Sequence, residues 1–365
     1  MRVVIAGGGY AGLTAAIYLR RHTPQSHVIL IDPKPFFLKK TYLHKTVHLP
    51  LSYFCLPYAE IARKFGFLFF KEEIDLRADK MEYILEKNSI PLSFGELSFD
   101  FLVLTTGSKP YLPFPVEGQR FVTLREVENG NISTIIKSLL PGSVITLIGG
   151  GATSLQFLGE LLFVYGKKFH YRLISDQDQL LYPLPDFFHT YAQAFLEKNS
   201  VEYLMASKVT RVQDKRIWVT NQRDSEIKVH DSDLTLIFTG LKAHPKCFEA
   251  DVFGRLLYNK KFYPHIFVAG DCSLYPGGNN TLSAQAAVRK GKKVAQNIMH
   301  HMRGEKLEPY TYEELGYFVS LGFLQAVGYL FDKRFFLSGP LAYFIKEIAE
   351  AQFDLFLKGW DVFIT

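Results

Sequence analysis

The sequence predicts an α/β protein built from two Rossmann-like dinucleotide-binding units, the second inserted in the first, with a distinct C-terminal region. Three observations carry that expectation. A glycine-rich turn joins a strand pattern to a helix pattern at the N-terminus, a second version of the same arrangement follows about 140 residues later, and the residues beyond about 306 match neither. At 365 residues the chain is too long for one ordinary domain. Its 48% hydrophobic and 21% charged residues, with 27 Gly and 17 Pro, exclude intrinsic disorder, a collagen and a coiled coil.

The first unit begins at once, so no signal or transit peptide is expected ahead of it. Residues 3–6 form an apolar strand pattern, and Gly7-Gly8-Gly9-Tyr10-Ala11-Gly12 follows. A helix pattern on Leu13, Ala16, Ile17 and Leu19 leads to a second strand, 28–31, that ends in Asp32. The spaced glycines serve different ends. Gly7 makes the tight turn, Gly9 admits a pyrophosphate close to the backbone, and Gly12 lets the helix approach the strand. The helix start offers unpaired N–H groups and a positive dipole end to that pyrophosphate. Asp32 is placed to accept hydrogen bonds from a ribose.

The second unit is a weaker copy. Strand 144–148 runs into Gly149-Gly150-Gly151-Ala152-Thr153-Ser154, a helix over 155–164, and a strand 171–174 that ends in Ser175-Asp176. Ser154 stands where a third glycine is expected, and the acid is displaced. A plain βαβ turn without a ligand is the alternative here. Further strands end in turns at Thr105-Thr106-Gly107, Thr239-Gly240 and Gly270-Asp271. Prolines 110, 113 and 115 read as the outgoing linker and His244-Pro245 as the return. The expected division is 1–109 with 244–305, then 110–243, then 306–365.

The last region contains a helix over 341–357. Leu341, Phe344, Ile345, Ile348, Ala349, Phe353 and Phe356 are expected on one face, and Glu347, Glu350, Asp354 and Lys358 on the other, with Lys346 between them. Trp360 and Phe363 follow as interfacial-type residues. The helix either lies in the plane of a membrane surface or packs on the protein body or a second subunit. No stretch of about 20 apolar residues is free of charge, so a polytopic membrane protein is not expected. The net charge of +6 is scattered, which disfavours nucleic acid and suits an anionic surface. Cys55, Cys247 and Cys272 lack CxxC spacing, which argues against a disulfide framework and a zinc site.

With these blocks in order, the chain resembles the type II NADH dehydrogenases (NADH:quinone oxidoreductases) among the FAD oxidoreductases with two dinucleotide domains. VVIAGGGYAGLTAA, LVLTTGSKP, ITLIGGGATSLQFLGEL, IFVAGDC with SAQAAVRKGKKVAQNI, and the C-terminal VSLGFLQAVGYLF…LSGPLAYFIK carry the resemblance. It implies FAD on the first copy, held at Gly7, Gly9, Tyr10, Ala11, Gly12 and Asp32, with Thr106, Gly107 and Asp271 beside the flavin. It implies NADH on the second, at Gly149, Gly151, Ser154, Asp176 and Gly240, with NADPH less favoured. Gln285 would sit beside the isoalloxazine ring, Lys346 would lie near a membrane quinone, and Gln156 stands where the family commonly has a Glu. Arg289 replaces a second Gln of the quinone-site helix. The implied activity is non-proton-pumping electron transfer from NADH through FAD to quinone, at the cytoplasmic face of the inner membrane, peripherally bound, with homodimerisation possible. The alternatives are an NADPH or sulfide:quinone enzyme, or a flavin-bearing redox partner without turnover.

Overall fold

The computed structural model describes residues 1–130, 132–221, 226–277, 280–331 and 333–361, so Phe363 lies outside the described residues. An eight-stranded sheet runs in the order Ser273–Leu274, Phe248–Ala250, Arg255–Tyr258, Lys261–Val268, Phe101–Leu104, Arg2–Ala6, His27–Asp32, Leu68–Lys71. The five strands from Lys261–Val268 to Leu68–Lys71 pair parallel. Val3, Val4 and Ile5 are fully buried, because helices or loops cover both faces of such a sheet. Helix Tyr10–His22 covers one face together with Ala284–Arg303. These two helices approach so closely that a Cβ at Gly291 would overlap the Ala11 carbonyl. Helix Ala284–Arg303 starts at Ser283, whose hydroxyl accepts the Ala286 N–H at 3.1 Å, and ends at Gly304 with φ +68°.

A second sheet of five parallel strands runs Phe121–Thr123, Leu234–Ile237, Val144–Ile148, His170–Ile174, Glu202–Leu204. A four-stranded sheet, Val116–Glu117, Ser207–Gln213, Arg216–Asn221 and Ile227–Asp231, packs beside it. The chain passes between the two large sheets twice, and the two passages pair: Ser108–Pro110 runs antiparallel to Leu241–Ala243. Tyr111 N–H to Gly240 O (3.0 Å) and His244 N–H to Gly107 O (2.9 Å) extend that ribbon at both ends.

The C-terminal region is an antiparallel sheet, Gly316–Ser320, Ala326–Leu330 and Phe335–Ser338, followed by helix Gly339–Lys358. It is packed against the second unit. A Cβ at Gly159 would overlap the backbone of Leu321 and Gly322. No helix among the described residues is long and apolar enough to cross a membrane.

The helix departs from the expected orientation. Leu341, Phe344 and Ile348 are exposed (58%, 55% and 66%), whereas Phe353 and Phe356 are buried in the core of the first unit. The acidic stripe faces inward: Glu347 pairs with Lys45 at 2.9 Å, Glu350 with Lys346 at 2.6 Å and Asp354 with Lys39 at 2.5 Å. Lys346, expected at a boundary, is buried at 4% exposure. The physical reason is the supply of cations by residues 39–45, which lets carboxylates enter the interface paired while apolar side chains stay outside.

Candidate active site

The site assembles around the first glycine-rich turn. Gly7 adopts φ +107°, a conformation only glycine takes without strain, and a Cβ on it would overlap the Thr105 carbonyl. Gly7 is pinned there by its N–H to Ile31 O (2.8 Å) and by the Thr105 hydroxyl donating to its carbonyl (2.8 Å). Gly9, by contrast, has nothing within 4 Å of where a Cβ would stand, so its backbone is open to a ligand. Asp32 accepts the N–H groups of Gly8 (2.7 Å) and Lys34 (2.8 Å). Burial nonetheless raises its carboxyl pKa, against the pull of those bonds and of Lys34 and Lys40.

From this turn a cavity of about 970 Å³ extends through the molecule. That volume is at the upper end of what single small-molecule sites usually enclose, which suits an extended dinucleotide. Gly7, Gly9, Tyr10, Ala11 and Asp32 form one part of its wall, Thr106, Gly107 and Asp271 another. The Asp271 carboxylate accepts the Ser108 hydroxyl at 2.6 Å, and the Thr106 hydroxyl donates to the His244 carbonyl. Ala152, Thr153 and Gln156 enter from the second unit, and Lys346 and Glu350 from the C-terminal helix. Gly12 lies beneath the turn, packed on Gly7 and Thr105.

Other expected residues stand elsewhere. Gln285 is not on the wall, where Ser283, Ala284 and Ala287 of the same helix start are found. Arg289 reaches away, donating to the Glu313 carbonyl at 2.6 Å with its guanidinium over the Tyr312 ring. Gly149, Gly151, Ser154, Asp176 and Gly240 also lie outside the cavity, at the turns of the second sheet. There the first unit's geometry repeats: Gly149 has φ +116° against the Phe238 carbonyl, and Gly151 is open. Ser154 is fully buried in Gly12's place.

The repeat extends to the end of the next strand. The Ser175 hydroxyl lies against Gly150 and accepts the Gln177 N–H at 3.1 Å, as Asp32 accepts those of Gly8 and Lys34. The neutral Ser175 therefore fills the acid's slot, and Asp176 is exposed beside it, bonded by the Gln177 amide at 3.2 Å.

Several site residues carried no sequence signal. Tyr58 donates to Gly8 O at 2.6 Å and fills the space where a Gly8 side chain would go. His44, Thr41 and Lys40 reach the wall from the 3-10 helix Lys40–Val47. The Tyr10 hydroxyl lies 3.3 Å from that of Thr41.

Behind this wall Glu160 is buried 3.5 Å from His48. Burial pushes the carboxyl up to about 7 and pulls the imidazole below its ordinary 6.5. Burial thus disfavours the charged form of both partners and with it the ion pair. Glu160 binds its proton more tightly folded than unfolded, so stability falls as pH rises from about 4.5 to about 7, and the loss is complete above that. Glu160→Gln is expected to raise the melting temperature at about pH 8 and leave it unchanged at about pH 4. An equal shift at both values would refute the assignment.

Two parallel-sheet units with matching strand–glycine turn–helix starts, the first lining the cavity and the second reaching it through Ala152, Thr153 and Gln156, define the architecture of a pyridine-nucleotide oxidoreductase. The chain belongs to the pyridine nucleotide-disulphide oxidoreductase family, whose model matches residues 1–291, and it is an enzyme of that family. It is 26% identical over 388 residues to a type II NADH:quinone oxidoreductase of Staphylococcus aureus (strain MSSA476), covering 96% of this chain and 94% of the relative. Among solved structures its fold matches NDH2 from Plasmodium falciparum in complex with NADH (TM-score 0.78, 13% identity, 98% and 96% of the two chains). It also matches the sulfide:quinone oxidoreductase of Aquifex aeolicus (TM-score 0.77, 17% identity, 98% and 91%).

Proposed function

We propose that the chain is an FAD-dependent, non-proton-pumping NADH:quinone oxidoreductase attached peripherally to the cytoplasmic face of a membrane. The observation that carries this reading is the continuous cavity, which reaches from the Gly7–Gly9 turn and Asp32, past Thr106, Gly107 and Asp271, to Gln156 and Lys346. Bound FAD would accept a hydride from NADH and pass two electrons to quinone. Gly7, Gly9 and the helix start at Tyr10 and Ala11 hold its pyrophosphate, with Gly12 setting the helix close, and Asp32 holds its ribose. Gly149, Gly151 and Ser154 receive the pyrophosphate of NADH at the second turn, near Gly240. Gln156, Lys346 and the helix start around Gln285 bound the acceptor end. The division into 1–109 with 244–305, 110–243 and 306–365 follows the same assignment. The sulfide:quinone reading has no support from the cysteines, since Cys55, Cys247 and Cys272 are all absent from the cavity wall.

Anaerobic addition of NADH to the yellow holoprotein is expected to bleach the flavin, and a short-chain quinone to restore its colour. NADPH is expected to act more slowly, because the Asp176 carboxylate repels a 2′-phosphate although Ser175 does not. Asp176→Asn is expected to narrow that difference by about tenfold, the range of one exposed charge at close approach. Equal bleaching by both donors in the parent protein would remove Asp176 from the donor site. No bleaching by either would overturn the oxidoreductase assignment of the second unit.

A further inference from the structure

Where the cavity meets the C-terminal helix, three polar groups converge from distant parts of the chain. Lys346 is 4% exposed and donates to Glu350 Oε1 at 2.6 Å. The other oxygen of that carboxyl, Oε2, is buried without a hydrogen-bond partner among the described residues, and so is Nε2 of His44. All three residues line the cavity. Buried polar atoms left open on a cavity wall point to a polar ligand that completes them. Elsewhere on the wall, Asp32 is engaged by two backbone N–H groups, Asp271 by Ser108, and Glu128 by Lys34 and Lys40. Gln156, also on the wall, has no acidic proton to give.

We propose that Glu350, oriented by Lys346, is the acid that delivers a proton to the electron acceptor as it is reduced, and that His44 Nε2 accepts the hydrogen bond of the hydroxyl so formed. The inference rests on the quinone reading above. In the step, the acceptor takes two electrons and one hydrogen as the hydride equivalent that originates from NADH. Its second oxygen takes the proton of Glu350, so that the Glu350 O–H bond breaks and a quinol O–H bond forms. The carboxylate left behind remains paired with Lys346 until solvent restores its proton. NADH and one proton are thereby consumed for each quinone converted to quinol.

The surroundings support these roles. Burial raises the Glu350 carboxyl pKa, against the attraction of Lys346 and Lys45 and with the help of Glu347. Tyr10, Tyr42 and Tyr343 also face this carboxylate, and each phenol is raised, so the tyrosines stay neutral donors beside it. His44 is held neutral by burial and by the charges of Lys346, Lys45 and His48. The Thr41 backbone acts in the opposite direction, and Nε2 stays without a partner on the cavity side.

The test compares the parent holoenzyme with Glu350→Gln, Glu350→Asp and Glu160→Gln, each checked for flavin content and melting temperature. Glu350→Gln is expected to lower quinone turnover by about a hundredfold, the lower range for loss of a general acid, with the quinone KM moving less than about twofold. Turnover with ferricyanide, which takes electrons without protons, should fall far less, and Glu350→Asp should recover part of the quinone rate. As pH falls, the infrared carbonyl band of a protonated carboxylic acid should grow in the parent protein, and grow less in Glu350→Gln and, separately, in Glu160→Gln. Parental quinone turnover in Glu350→Gln, or an infrared band indifferent to it, would overturn the role of Glu350 alone. A parent enzyme that bleaches with NADH yet reduces no quinone would overturn the acceptor reading and the proposal together.

Discussion

Replacement of Gly12 by Val is expected to yield colourless protein of much reduced stability. A Cβ at this position would fall well inside 3.0 Å of the Gly7 carbonyl oxygen and of the Thr105 hydroxyl. Neither neighbour can give way. Gly7 is fixed at φ +107° by its bond to Ile31 and by the hydroxyl of Thr105, which also donates to Ala6 O at 3.0 Å. The helix can relieve the clash only by lifting off the sheet, which separates Ala11 from Gly291 and moves the N–H groups at its start away from the cavity. Overpacking of a rigid core costs about 1–3 kcal/mol and more where backbone must move, so a loss of about 4 kcal/mol is expected. Flavin absorbance and the urea midpoint check it. Yellow protein with an unchanged midpoint would show that Gly12 is not in the close contact described.

The triple change Leu341→Ser, Phe344→Ser, Ile348→Ser is expected to release the protein from lipid vesicles without unfolding it. These side chains project from one face of the C-terminal helix, and Trp360 beyond it is 69% exposed. Phe323 and Phe331 in the turns of the adjoining sheet, and Phe335 on its last strand, extend the apolar surface. A patch of this kind on a folded enzyme marks an interaction surface. Burying a Leu, Phe or Ile is worth about 1.5–3 kcal/mol, so removing three lowers membrane partition by at least about a hundredfold even at partial insertion. The melting temperature should hardly move, because these residues are already in water. Phe353→Ala is the contrasting variant: it lies in the core with Phe37 and Tyr10, and its truncation should cost about 3–5 kcal/mol. Vesicle sedimentation and thermal melts of both variants separate the two faces. Unchanged sedimentation of the triple variant would exclude this face as the membrane contact.

The glycine-rich turns were legible because their requirements are local. A positive φ, an open backbone and a close helix approach each demand glycine at a set distance along the chain, and Gly7, Gly9 and Gly12 show all three within six residues. The second turn was legible for the same reason, down to the small Ser154 in place of glycine. The displacement of the acid was legible too, with Ser175 closing the strand and Asp176 next to it. That the Ser175 hydroxyl turns toward Gly150 was not, because residue spacing does not state side-chain direction.

Periodicity placed the C-terminal helix and its charged stripe, because a period of 3.6 is a property of the segment itself. Direction was beyond it. A stripe of acids ordinarily faces water, and only Lys39 and Lys45, the latter 302 residues from its partner Glu347, turn it inward. The polar end of the cavity has the same origin, since His44, Glu350 and Lys346 meet only when the helix seats on the segment around residue 44. The two α/β nucleotide units and their order follow from sequence alone, since backbone conformation and amphipathic period are written within short windows. Folding settles which face of the last helix is buried, which side chain turns toward Gly150, and which polar groups share the cavity. Each of those turns on charges and contours brought together from remote parts of the chain, whose pairing energy exists only after the chain has folded.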